Sequence, residues 1–199
     1  MKHKDQYSPK GFGIVELLIV AAIAITILAI ATPTILQAYR SYKVSSAAAQ
    51  VDMMVKYTRL EAIRLNTSPA APINLDCQQL GNGKYQIWTD SNKTGILQNT
   101  EKRTFFNSGA DLMALAAVPA TAQITAALGG TPLVGIAPGN GPMLGFDGRG
   151  AVANPAGVYA IAVGDTVAPK AGYRIIVVLP SGSTQIWSGD AYGNWHQTN

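Results

Sequence analysis

The chain has 199 residues, enough for one globular domain and a membrane anchor. Its single cysteine, Cys77, excludes an internal disulfide and a two-cysteine metal site, and suits a buried small hydrophobe. A formal charge of +4 leaves a polyanion partner open, while 20 Gly and 11 Pro point to a loop-rich body.

From Phe12 to Ala31 the sequence is apolar apart from Gly13, Thr26 and Glu16. As a helix it reaches roughly 30 Å, the thickness of a bilayer's hydrocarbon core, and it exceeds the apolar region of a secretory signal. Lys2, Lys4 and Lys10 precede it and hold the amino end in the cytoplasm, although Arg40 and Lys43 beyond it weaken the asymmetry. A carboxylate inside such a segment costs on the order of 3 kcal/mol. Glu16 therefore needs a partner or a task, unless it snorkels to water at the cytoplasmic surface.

Gly11-Phe12-Gly-Ile-Val-Glu16, behind a short basic leader and ahead of the apolar run, resembles the class III signal of type IV pilins and type II secretion pseudopilins. The resemblance implies a leader over residues 1–11, cut between Gly11 and Phe12 by a prepilin peptidase, with N-methylation of Phe12. It also implies that Glu16 is the acid used in assembly and that Pro33 is the kinking proline of pilin helices. Gly13 departs from the usual threonine or serine, which softens the helix start. The implied partners are the peptidase, the other pilins or pseudopilins of a filament, and an inner-membrane assembly platform. The implied location is the inner membrane, single-pass, with the amino terminus cytoplasmic and the carboxy-terminal domain periplasmic. Removing the leader takes away three lysines and one aspartate and lowers the charge from +4 to +2, weak support for a polyanion partner.

Beyond Pro33 the helical pattern continues. Val44, Ala48, Val51, Val55, Thr58, Ala62 and Leu65 follow a 4, 3, 4, 3 spacing that makes one stripe, with Asp52, Lys56, Arg59 and Arg64 away from it. Asn66 to Pro69 ends the pattern, since asparagine suits a C-terminal cap and the residue before proline avoids helix. The spacing predicts one helix over 12–66, transmembrane over 12–31 and docked on a domain in its second half.

Residues 67–199 change period to short strands bounded by Gly, Asn, Asp and Pro: Pro72 to Cys77, Tyr85 to Thr89, Arg103 to Phe106, Met143 to Phe146, Val158 to Val163, Tyr173 to Leu179 and Thr184 to Trp187. Pro180 to Ser183 is a hairpin connection. Residues 109–141, rich in Ala, Gly, Thr and Pro, give one short helix near Ala110 to Ala117 and otherwise a long loop. The expected fold is α+β and pilin-like, a long amino-terminal helix packed on an antiparallel β-sheet domain. Arg59-Leu-Glu-Ala-Ile-Arg64-Leu-Asn66, Gly145-Phe-Asp-Gly-Arg-Gly150 and the hairpin Tyr173 to Trp187 resemble the helix end, Phe-Asp-x-x-Gly turn and final hairpin of the minor pseudopilin H (GspH)/FimT family. Leu60 stands where that family usually has serine.

Catalysis finds little support, because His3 lies in the leader and His196 in the tail, leaving no imidazole in the body to serve a nucleophile. Asp147 and Asp165 fit turn positions better than a catalytic pair. Asp90, Asn92, Thr94 and Glu101, with Gly95 at the sixth place, set oxygen donors at positions one, three, five and twelve, as an EF-hand does around calcium. The flanks read as strands rather than helices, so a polar hairpin loop is the competing expectation. FimT-like proteins bind DNA through a basic tail, but no Lys or Arg follows Arg174 here, which disfavours nucleic acid. Tyr192 and Trp195 are expected on the sheet edge or against a partner subunit. Three classes stay open: a filament subunit of a secretion pseudopilus or type IV pilus, a DNA-binding minor pilin for natural transformation, and a membrane-tethered enzyme or binding protein.

Overall fold

One helix, α1, runs Ile14–Arg64, 51 residues, close to the expected bounds. The computed structural model describes residues 13–106, 109–153, 157–165 and 167–198. The chain divides into two units, Met1–Gln37 and Ala38–Asn199, and α1 contributes to both.

Within the second unit, the expected stripe on α1 is buried: Val44, Ala48, Val51, Val55, Thr58 and Ala62, joined by Ala47 and Met54. Leu65 falls past the last helical residue and is 41 % exposed. Asn66 takes φ 46°, its N–H donates to the Ile63 carbonyl, and the Thr67 N–H donates to the Ala62 carbonyl. That pair of bonds is a Schellman cap, made with asparagine in place of the commoner glycine.

The strands form two sheets. In the first the order is β3 (Arg103–Phe105), β2 (Tyr85–Asp90), β1 (Ile73–Gln79) and β6 (Gly141–Phe146), all antiparallel. In the second the order is β10 (Trp195–Thr198), β9 (Thr184–Gly189), β8 (Tyr173–Val178), β7 (Val158–Gly164) and β4 (Asp111–Met113). A short β5 (Leu133–Gly135) pairs with β7 in parallel, beside β4. The turn from Leu179 to Ser183 closes the expected hairpin, with Leu179 N–H donating to the Ser183 carbonyl.

One apolar core lies between the stripe of α1 and the inner faces of both sheets, with Leu75, Ile87, Leu144 and Phe146 from the first and Ile161, Val163, Ile176 and Val178 from the second. A second core covers the other face of the second sheet, where Trp187, Trp195, Ile175 and Val177 meet Ile124 of a short helix, α2 (Ala122–Ala127). Every residue of β7 is therefore buried. That explains its unbroken apolar sequence, since alternation disappears when both faces are covered.

Three expectations need correction. The helix expected near Ala110 to Ala117 is instead β4 followed by a 3₁₀ turn, Leu115–Ala117. The long loop over 109–141 also holds α2 and β5. Asp52 is not on the solvent side of α1: it is 9 % exposed and accepts a hydrogen bond from the Thr184 hydroxyl while pairing with Lys56 at 2.7 Å.

Candidate functional site

The first candidate is the opening half of α1. Its large apolar side chains from Ile14 to Leu36 are between 52 and 79 % exposed, and none of its most apolar stretch is buried. Thr26 and Thr32 donate back to the Ala22 and Leu28 carbonyls at 2.8 and 2.6 Å, so their hydroxyls need no outside partner. Glu16 sits in the first helical turn, its N–H donating to the Gly13 carbonyl at 3.0 Å. Pro33 lies inside the helix and withholds an N–H from the Ala29 carbonyl. Gly11 and Phe12, the expected cleavage and methylation site, lie outside the described residues.

The second candidate surrounds the loop between β2 and β3. Asp90 ends β2 almost wholly buried; its Oδ1 accepts from the Thr94 N–H at 3.1 Å and its Oδ2 from the Gly95 N–H at 2.9 Å. Asn92 Oδ1 accepts from both the N–H and the hydroxyl of Thr94. Lys93 and Gly95 take φ of 60° and 67°, which turns the loop back over Asp90. Glu101 is buried as well, with Oε2 accepting from the Gln98 N–H at 2.9 Å. The β2–β3 register runs from Gln86↔Phe105 to Trp88↔Arg103, and the Thr89 N–H then donates to the Lys102 carbonyl. One further step in that register sets Glu101 across from Asp90.

Asp76 joins this group from β1 and is 1 % exposed. The β1–β2 register puts it opposite Trp88, and puts Asn74 opposite Asp90 on the same face. Burial, with the Asp90 and Glu101 carboxylates nearby, pushes the Asp76 pKa up to about 6. None of the three carboxylates has an ion pair among the described residues. Both Asp76 oxygens, Glu101 Oε1 and Trp88 Nε1 are buried without a hydrogen-bond partner, and among the described residues no other buried side-chain N or O atom is so placed. The sequence singles out Asp90, Asn92, Thr94 and Glu101 but gives no sign of Asp76 or Trp88. An aspartate alternating with Leu75 and Cys77 reads as facing water, and only the strand pairing reveals its buried neighbours.

The end of α1 from Arg59, the turn Gly145 to Gly150 and the β8–β9 hairpin meet in space. Arg59 Nε donates to the Gly150 carbonyl at 2.9 Å, and the Gly148 N–H donates to the Thr67 carbonyl at 2.6 Å. A Cβ on Gly182, in the β8–β9 turn, would stand 2.0 Å from the Gly150 carbonyl oxygen and 2.9 Å from Arg59 Nε. The helix end, the Phe-Asp turn and the last hairpin thus lock around one arginine. Asp147 and Asp165 cap turns, accepting from Arg149 and Ala151 and from Val167 and Ala168 respectively. In the tail, Trp195 is buried on the sheet edge with Nε1 donating to the Ala120 carbonyl, whereas Tyr192 is 91 % exposed. Burial raises the Cys77 thiol to about 11, as suits a side chain inside the core.

No family model, curated protein or solved structure matches the chain. Architecture and composition therefore stand alone. Among the described residues one helix, near the amino end, is long and apolar enough to cross a membrane. With the buried stretch of α1 packed on antiparallel sheets, the architecture is pilin-like.

Proposed function

We propose that this protein is a minor pilin or pseudopilin of the GspH/FimT family, a structural subunit of a type II secretion pseudopilus or a type IV pilus rather than an enzyme. One observation carries the proposal: a single continuous helix is apolar and uncovered on all sides in its first half, yet inserts a stripe into its own domain's core in its second half. A membrane anchor needs only the first property. A subunit that leaves lipid to bundle with other helices needs both, because the same rod must span the bilayer and remain fixed to its folded body.

Glu16 supplies the recognition step. Cleavage between Gly11 and Phe12 would create a cationic amine next to an apolar helix. When helices move from lipid into a filament core, apolar surface exchanges for apolar surface, so little hydrophobic gain directs the register. An amine of one subunit against Glu16 of its neighbour forms an ion pair in a low-dielectric setting, where a missing partner is costly. Glu16→Ala is expected to be processed normally yet to enter filaments at least about tenfold less. Incorporation at the wild-type level, measured on sheared filaments, would remove this role. Mass spectrometry of the native amino terminus tests the processing step: methylated phenylalanine at position 12 supports it, and a chain starting at Met1 ends it.

A further inference from the structure

We propose that a cavity at the start of the docked half of α1 holds the headgroup of an anionic phospholipid. Such a site requires the apolar half of α1 to lie in a bilayer, but not the filament assignment. Tyr39, Tyr42, Lys43, Ser46 and Gln50 line the cavity from α1, Ala110 closes it ahead of β4, and its volume is about 370 Å³. That lies within the roughly 300–1,000 Å³ of small-molecule sites. Its place along the chain names the kind of ligand. The uncovered apolar stretch from Ile14 to Leu36 rises roughly 34 Å and so uses up the hydrocarbon core. Tyr39 to Lys43 follow within roughly 5–10 Å of helix, the depth of the headgroup layer, where tyrosine and lysine are favoured. Tyr39 and Tyr42 are 55 and 69 % exposed, so their rings are open to lipid.

Charge decides between headgroups. Lys43 is half-buried and sets Nζ 4.4 Å from the centre of the Tyr39 ring, which holds the ammonium at the cavity. Among the described residues it has no ion pair, and neither has exposed Arg40 or half-buried Arg174. Arg174 donates to the Ser45 hydroxyl and the Tyr173 carbonyl, both at 2.9 Å and both neutral, and burial lowers its pKa with no carboxylate to offset it. Two carboxylates lie close by. Asp111, next to Ala110, pairs with Lys84 at 3.5 Å. Asp165 stands across Gly109 from Lys43 and gives Oδ1 to the Val167 and Ala168 N–H groups. Three cations thus face one carboxylate, and the surroundings call for an anion. A phosphodiester carries one negative charge on oxygens that accept from an ammonium. Neutral donors beside Lys43 suit the rest of a headgroup: the Tyr42 and Ser46 hydroxyls and the Gln50 Nε2, whose Oε1 is already taken by the Thr104 hydroxyl. A choline or ethanolamine headgroup would bring a second cation beside Lys43 and is disfavoured.

The test uses the full-length chain, freed of lipid in a non-ionic detergent and titrated with short-chain phosphatidylglycerol or phosphatidylcholine. Bound lipid is counted by native mass spectrometry, and the melting point is followed in parallel. The expected result is one phosphatidylglycerol bound at least about tenfold more tightly than phosphatidylcholine, with a raised melting point. Lys43→Gln should reduce that preference at least about fivefold. Ser46→Leu, which fills the cavity and keeps every cation, should do the same. Arg40→Gln, which removes an exposed cation outside the lining, should change it less than about twofold. Glycerol phosphate lacks the acyl chains that concentrate the headgroup at the site, and should give no melting shift at the same concentrations. Equal binding of the two lipids overturns the proposal, as do equal losses from Lys43→Gln and Arg40→Gln. So does binding that survives Ser46→Leu, or equal stabilisation by glycerol phosphate. Release of the chain from membranes by alkaline extraction would overturn the anchor and the site together; retention without lipid preference overturns the site alone.

Discussion

The two halves of α1 are built from the same residue types and meet opposite fates. From Ile14 to Leu36, Ile, Leu, Val and Ala point outward on every side; from Val44 to Ala62, Val, Ala and Met form a stripe that is wholly buried. Composition alone does not decide which apolar helix enters a core. Periodicity does: the second half interrupts its apolar positions with Lys56, Arg59 and Glu61, which leaves one face to dock, whereas the first half has no polar face to set against a domain. An unpatterned apolar cylinder must find a surrounding that is apolar in all directions, which is the property of lipid or of a bundle of identical helices.

The comparison can be broken most severely by placing a charge in the stripe. Val51 is fully buried, so Val51→Asp would set an uncompensated carboxylate in the core and cost more than about 4 kcal/mol, seen as loss of the cooperative melting transition by circular dichroism. Next comes the clamp that holds the end of the docked half. Gly182 has φ 77° and no room for a Cβ beside the Gly150 carbonyl, so Gly182→Ala should destabilise by about 2–4 kcal/mol in urea titration while leaving the helix content unchanged. The smallest effect sharpens the contrast. Ile23 is 55 % exposed, and Ile23→Ala should move the melting point of the domain by less than about 0.5 kcal/mol in equivalent free energy.

Most of the fold was legible where local chemistry and tertiary demand agree. The stripe on α1, the cap at Asn66, the hairpin at Leu179 to Ser183 and the principal strands each carry their signal within a few residues. The failures share another cause. Asp111–Met113 and Leu133–Gly135 are three-residue strands whose pairing with β7 is a long-range event, and the alanines that follow Met113 reach only a 3₁₀ turn, Leu115–Ala117. Asp52 looks solvated until Thr184, 132 residues away, supplies a hydroxyl. The acidic group was half legible: its loop donors fall within one twelve-residue span, but Asp76 arrives through strand register, which no local pattern announces. Glu16 was legible for the opposite reason, since a carboxylate in an apolar run stands out without any knowledge of its neighbours.

The solitary thiol has a practical corollary. Cys77 lies shut inside the sheet and holds its proton well into alkaline conditions, so maleimide and other alkylating dyes should pass it over. A cysteine installed at the fully open Tyr192 position would then be the sole labelled point, giving a clean spectroscopic ruler with no need to delete the native sulfur.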